Sequence, residues 1–429
     1  MDPLLVVLAL IAMIGLGVPI FLSLGVAGLI GLYMARGSLA FFFAPTSLFG
    51  QLNVFEMVAL PLFILMGSLL GATPVGANLF QAAVRWLNWL RGSLAISSVG
   101  ASAMFGAVSG VSLAGVAAVG SIAVPQMLER GYSRTLAAGS VVTAGALAML
   151  IPPSVPFIIY GAVSSVSVAD LFIGGIVPGI VLALALSLYI FLRVSLNPGE
   201  APVAEQRFTW PERFHSLGQI WHAALLVLAV LGSIYTGFAT PSEAAGVGAL
   251  GAFFIATVVF RSLTWAKLVQ ILGTTARISG AILLIMGCAK IFGDYLNMVR
   301  VPQLLTETLT TSGLPTWSIL LAVMLMLILL GMLVDAVSLI VVTTPVLLPL
   351  IEALGYDPLW FGIVMVLNLE IAVVTPPVGL NLYALRGVCP GLTIEEIIRS
   401  ALPFVAVQFL VLMLFVFFPS LSLWLPGLM

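Results

Sequence analysis

Charge is scarce in this chain. Asp, Glu, Lys and Arg make up 7% of it, 15 basic against 16 acidic residues, for a net charge of −1. A nucleic-acid surface or an acidic soluble partner calls for a charge excess that this composition lacks. Lysine occurs only at Lys267 and Lys290, each preceded by alanine. The Gly-Lys-Ser/Thr end of a phosphate-binding loop is therefore missing, and ATP-driven transport fits poorly. Cysteine is limited to Cys288 and Cys389, both in apolar context, and two isolated thiols read as inert core residues. His215 and His222 flank a membrane entry and read as interfacial rather than as ligands. With no clustered metal ligands and no nucleophile–base set in an apolar segment, neither an enzyme nor a resident cofactor is expected.

What fills the chain instead is apolar: 62% hydrophobic residues and a mean hydropathy of +1.24 over 429 residues. These values lie far outside soluble domains. The apolar runs are too long for barrel strands, which alternate over about ten residues, so the fold class is an all-α polytopic membrane protein. The opening Met1-Asp2-Pro3, followed by apolar residues, lacks the basic region of a cleaved signal. A first membrane helix is expected there.

Two short breaks organise the rest, Leu150-Ile151-Pro152-Pro153-Ser154 and Val374-Thr375-Pro376-Pro377-Val378. Adjacent prolines remove backbone donors and strain the preceding turn. The breaks lie 224 residues apart, and the same offset joins Pro125 to Pro349, Gly131 to Gly355 and Tyr132 to Tyr356. This shared spacing reads as an internal duplication, each copy holding a broken helix. Paired Gly/Pro-interrupted apolar segments are the best sequence pointer to a transporter's binding site.

The first repeat is placed at 1–196, a cytoplasmic linker at 197–218 and the second repeat at 219–429. Passes are expected at 2–17, 19–35, 52–72 and 170–193, then at 219–238, 242–260, 278–297 and 401–424. Interfacial segments fall at 38–50, 76–91 and 263–276. Residues 92–128 are nearly double the length of one pass and are interrupted at Gly106–Ser112. A re-entrant hairpin fits this better than two short passes, and 316–351 is its counterpart, interrupted at Leu333–Ser338. The broken helices are 134–164 and 358–386. Five crossings and one hairpin per copy invert the second copy relative to the first. Arg85, Arg91, Arg130, Arg134, Arg193, Arg207, Arg213, Arg261, Lys267, Arg277, Arg386 and Arg399 then fall on one face, Arg36 and Arg300 on the other. The positive-inside rule makes the richer face cytoplasmic and puts both termini outside.

At these residues the chain resembles a known family. The carriers are Ser109-Gly110, Gly120–Pro125, Arg130-Gly131-Tyr132 and Ile151–Ser154 with Pro156–Gly161. In the second copy they are Thr344–Pro349, Met365–Glu370 and Thr375–Leu382. The pattern is similar to the large, DctM-like membrane subunit of tripartite ATP-independent periplasmic (TRAP) transporters, over essentially the whole chain. The resemblance implies sodium-driven, elevator-type uptake of an organic acid across the bacterial inner membrane. It also implies two partners, a periplasmic substrate-binding protein and a small four-helix membrane subunit. Three positions depart from the usual pattern: Val111 stands for a serine, Ala146 for a threonine, and Lys290 with Asp294 is an unusual pair for its helix. A stand-alone elevator-type dicarboxylate/sodium symporter is the alternative.

The chemistry follows from the breaks. The end before Pro152 or Thr375 offers carbonyl oxygens to sodium, and the half-helix from Pro153 or Pro377 offers N–H groups to a carboxylate. Each hairpin tip is expected to pair with its own broken helix in a cation site, with substrate between the copies. The sodium candidates are Ser109, Gly110, Ile151, Asp335, Ser338 and Thr375; the substrate candidates are Ser112, Pro153, Ser154, Pro377 and Asn381. A dicarboxylate entering alone would work against an inside-negative potential by roughly 4.6 kcal/mol per 100 mV, which two sodium ions cancel. Asp335 is either a ligand or a helix cap, Glu370 faces a cavity or the core, and Asn368 and Asn381 could equally satisfy freed backbone. Glu243 reads as a cap, and Lys290 with Asp294, four residues on, as a salt bridge.

Overall fold

A chain in a bilayer must satisfy its backbone within each apolar segment, which leaves helices as the solution for runs of this length. The computed structural model describes residues 3–202 and 208–428, and every regular element among them is helical. Glu205 and Arg207 of the linker lie outside the described residues, as do Met1, Asp2 and Met429.

The first half runs α1 (Pro3–Gly15), α2 (Ile20–Arg36), α3 (Ala40–Leu52), α4 (Ala59–Gly71) and α5 (Val75–Leu87). It continues with α6 (Ser93–Ser109), α7 (Ser112–Glu129), α8 (Arg134–Ala144), α9 (Val155–Ser164) and α10 (Val168–Leu196). The linker carries α11 (Trp210–Leu217). The second half then runs α12 (Trp221–Tyr235), α13 (Pro241–Phe254), α14 (Trp265–Met298), α15 (Val301–Thr310) and α16 (Thr316–Gly331). It ends with α17 (Ala336–Ala353), α18 (Pro358–Ala372), α19 (Leu380–Val388), α20 (Ile394–Phe417) and α21 (Ser420–Leu423). By length and composition, seven helices among the described residues can cross a membrane, or nine if each of two bent pairs is one span.

Local chemistry sets most boundaries. Gly17 takes a left-handed φ of 81° just before Pro19 opens α2. Glu243 closes a capping box with Thr240, accepting from its N–H at 2.8 Å, so it is a cap as expected. Both 92–128 and 316–351 fold as helix pairs, α6–α7 and α16–α17, whose members pack together. The Tyr132 hydroxyl, just past α7, accepts from the backbone N–H of Leu94 at the start of α6 at 3.3 Å, which closes the first pair into a hairpin.

The second half departs from expectation in two places. An interfacial helix at 263–276 and a separate pass at 278–297 are instead one continuous helix, α14, of 34 residues. At 1.5 Å per residue it is about 51 Å long, well beyond a ~30 Å hydrocarbon core. No proline or turn residue pair stands between Thr274 and Gly280 to end it. In the first half the corresponding stretch is interrupted after Leu52, where Asn53 leaves the helix and Val54 is extended. A further short helix, α15, fills 301–310, where no element was expected.

The packing interleaves the halves. α2 lies on α14 and α4 on α13; α8 lies on α20 and α10 on α18. The second arm of each hairpin rests on the outer piece of the other half's broken helix, α7 on α19 and α17 on α9. Trp360, Tyr160, Phe157, Phe361 and Phe404 are fully buried at the centre. The two with polar tips are satisfied: Trp360 Nε1 donates to the Phe415 carbonyl at 2.9 Å, and the Tyr160 hydroxyl to that of Pro358 at 2.7 Å.

Candidate substrate and ion site

Both broken helices are present. After α8 a 3-10 turn, Gly145–Met149, carries the chain to Pro152-Pro153, and α9 starts at Val155. After α18 the chain turns through Pro376-Pro377 and restarts as α19 at Leu380. Both Pro-Pro bonds are cis. The helices restart later than Pro153 and Pro377, at Val155 and Leu380. Ser154 caps α9, its hydroxyl accepting from the Phe157 N–H at 3.4 Å and donating to the Met149 carbonyl. Val378 cannot cap, and Gly379 turns the chain into α19 with a φ of +50°.

Each hairpin tip does meet its own break. Gly110, at φ +62°, accepts from the Val155 N–H at 3.4 Å. A Cβ there would lie 2.4 Å from the Pro153 carbonyl oxygen, so only glycine fits. In the second half, the Met332 carbonyl accepts from the Val378 N–H at 3.1 Å. Gly110 is among the sequence candidates, but Met332, which contributes only its carbonyl, carries no side-chain signature that would mark it. Gly67 of α4, where a Cβ would lie 2.7 Å from the Ser109 carbonyl oxygen, was missed in the sequence.

The side chains divide into engaged and free. Asp335 is the N-cap of α17: its carboxylate accepts from the Ser338 N–H at 3.0 Å and from the Ser338 hydroxyl at 2.6 Å. Thr375 donates to the Ile371 carbonyl at 2.5 Å. By contrast, the Ser109 hydroxyl is buried with no hydrogen-bond partner, an expensive state for a polar atom. Ile151 packs its side chain where a Cβ on Gly179 of α10 would lie, 2.8 Å away. Both Glu370 oxygens are likewise buried and unpartnered in α18. Asn368 donates to the Met324 carbonyl inside α16 at 2.9 Å, not to backbone freed at the break, and its Oδ1 is buried without a partner.

Ser112 and Asn381 come together across the halves. The Ser112 hydroxyl lies 2.7 Å from Asn381 Nδ2 and 2.9 Å from Oδ1, and both residues are buried. The same Nδ2 lies 3.5 Å from the Val142 carbonyl of α8. These residues are 269 apart in sequence. Among the described residues the Asp335 carboxylate is hydrogen-bonded to Ser338 and not to this pair.

One expectation changes. The first turn of α9 offers no free donor: Val155 donates to Gly110, Phe157 to Ser154, Ile158 to the Ser154 carbonyl, and Pro156 has none. Pro153 and Ser154 are buried, whereas Pro377 and Val378 are exposed. At the second break Val378 donates to Met332, Asn381 to Val373 and Leu382 to Gly379, which leaves the Gly379 and Leu380 N–H groups as the donors a carboxylate could meet.

Hairpin pairs, broken helices and interleaved halves define a polytopic membrane transporter. The fold is similar to that of the Alcanivorax borkumensis YdaH transporter, with a TM-score of 0.64 at 14% identity over 90% of both chains. Neisseria gonorrhoeae MtrF is alike, with a TM-score of 0.63 over 92% of this chain and 85% of that one.

Residues 7–421 match the family model described as the tripartite ATP-independent periplasmic transporter, DctM component. The chain belongs to that family. The C4-dicarboxylate TRAP transporter large permease protein DctM of Vibrio cholerae is 35% identical over 99% of this chain and 97% of that protein. The ectoine/5-hydroxyectoine large permease of Ruegeria pomeroyi is 31% identical over 98% of both, and the sialic acid large permease of Vibrio cholerae is 31% identical over 96% of this chain and 95% of that one. Members of this family are membrane permeases rather than enzymes, and they work with a small membrane subunit and a periplasmic binding protein.

Proposed function

We propose that this chain is the permease of a sodium-coupled importer for an organic acid. A periplasmic binding protein delivers the acid, and a small four-helix membrane subunit accompanies the permease in the bacterial inner membrane. The halves act as inverted repeats with both termini periplasmic, and the hairpins and broken helices move together as an elevator. The observation that carries this reading is the cross-half pair Ser112–Asn381, set between two junctions where a hairpin tip meets a helix break.

The roles follow from what each group has left to give. Ser109, with its unpaired hydroxyl, and the backbone at Gly110 and Ile151 supply one sodium site. Asp335, Ser338 and Thr375 supply the other, the carboxylate adding the negative charge that a cation needs in low dielectric. Substrate lies at Ser112 and Asn381 and against the open second break at Pro377. Coupling to sodium offsets the work of bringing anionic charge into a negative interior.

The test is uptake by proteoliposomes holding this chain, the small subunit and the binding protein, under an imposed sodium gradient. Accumulation of a carboxylate that needs all three proteins and sodium is expected. Uptake by this chain alone would favour a stand-alone symporter; accumulation driven equally by a proton gradient without sodium would remove the ion assignment.

A further inference from the structure

A second polar cluster lies away from the helix breaks. Lys290 and Asp294 stand one turn apart on α14 and form an ion pair, Nζ to Oδ1 at 2.7 Å. They line a cavity of about 260 Å³ between α3 and α14 on one side and α9 and α17 on the other. Gln51 of α3 and Asn297 of α14 add two amides, and Val163 and Pro345 belong to the facing wall.

The ion pair alone could be a helix-stabilising contact, since its spacing permits that anywhere. Gln51 is the independent observation. Its side chain is 7% exposed, it lines the same cavity, and its amide nitrogen has no hydrogen-bond partner. A buried donor left without an acceptor loses its water without compensation. An ionisable pair inside an apolar span also marks a site by default. Together they describe a cradle with a cation, an anion and an unused donor.

We propose that this cavity binds a small zwitterion, its anionic end at Lys290 and Gln51 and its cationic end at Asp294. The pair sums to zero charge. The side chains are 44% and 29% exposed, and a ligand of one sign would have to split the pair and leave the other charge without its partner. A zwitterion instead exchanges one ion pair for two. The cavity is smaller than the roughly 300–1,000 Å³ of sites for drug-sized ligands, so the ligand has an amino acid's dimensions. Because its walls come from two sets of helices, an occupant ties α14 to α9 and α17. The site is independent of the organic-acid reading.

Isothermal titration calorimetry on the full chain in lipid nanodiscs tests it, with L-proline and glycine betaine as zwitterions and succinate and putrescine as single-sign probes. The zwitterions are expected to bind, and the single-sign probes not to displace them. Lys290→Gln and Asp294→Asn should each weaken binding by about tenfold or more, the loss of one charge-assisted contact. Exchanging the two charges (K290D/D294K) should recover most of it. Gln51→Leu removes an unpaired amide, leaves folding intact and weakens binding several-fold. Asn381→Ala, which impairs the organic-acid site, should leave zwitterion affinity as in the wild type; if it abolishes zwitterion binding, the ligand sits at the helix breaks and the proposal fails. Absence of binding by wild-type protein with normal thermal unfolding, or succinate binding that needs Lys290 but not Asp294, would equally overturn it.

Discussion

The two helix breaks carry the same proline pair and end in different states. At the first, Ser154 follows the prolines, caps α9 within the chain and lies buried with Pro152 and Pro153. At the second, Val378 follows them, cannot cap, and is exposed beside Pro377. The donors left over are few: none in the first turn of α9, and only the Gly379 and Leu380 N–H groups at the second break, where Val378, Asn381 and Leu382 already donate to Met332, Val373 and Gly379. The tips show the converse. At the first, Ser109 is left unpaired, whereas at the second Asp335 and Ser338 satisfy each other. Each half thus has one satisfied and one available component.

The scaffold around them is unequal too. α3 and α4 are separate, with α4 meeting α5 at a 69° bend, but their counterpart in the second half is the unbroken α14. α14 runs unbroken along α2 and α3, whereas the first-half pair is interrupted at Asn53–Val58. At 34 residues α14 is the longest helix among the described residues.

Breaking the first tip should have the largest effect. Gly110→Ala puts a Cβ on the Pro153 carbonyl in a left-handed conformation, costing about 1–2 kcal/mol from φ alone, plus the clash. Uptake should fall to background, and thermal unfolding should shift down; retained transport would show that the tip and break need not touch. Next, breaking α14 with Gly273→Pro should cost about 2 kcal/mol, the difference between the proline and glycine penalties in a helix, read as a lower unfolding temperature and slower uptake. The same measurement on a proline in the already interrupted 53–54 stretch should change little.

Asp335→Asn sharpens the comparison of tips. Asparagine caps as well as aspartate, so stability should hold while half-saturating sodium rises several-fold; unchanged sodium dependence would leave Asp335 a cap only. Ser109→Ala removes a buried hydroxyl that has no partner, so the protein should be no less stable, yet sodium affinity should drop. Its counterpart, Ser338→Ala, breaks a made contact and should cost about 1 kcal/mol. The smallest effect is expected at the cross-half pair. A double-mutant cycle with Ser112→Ala and Asn381→Ala should give a coupling of about 0.5–1.5 kcal/mol in unfolding, with substrate affinity lost in each single variant.

Much of the architecture was legible because its signals are local. Proline pairs, the Gly110 turn, the Thr240/Glu243 box and the i, i+4 Lys290–Asp294 pair act within one or two turns, and each was found where its residues stand. Long apolar runs could only become helices. The missing interruption at Arg277–Ser279 was also local, but a negative signal, and an interfacial helix was read where the chain has no reason to stop.

What the chain alone determined is that it would be a helical membrane protein, broken twice at matched positions, with tips of Ser, Gly and Asp. Which groups remain available was decided only in three dimensions. Whether the hydroxyl of Ser109 or the carboxylate of Asp335 is used up, whether Ser112 meets Asn381, and whether Gln51 faces Lys290 depend on contacts between residues far apart in sequence. A residue's chemistry is written in its side chain, but its unspent hydrogen-bonding capacity is a property of its neighbours.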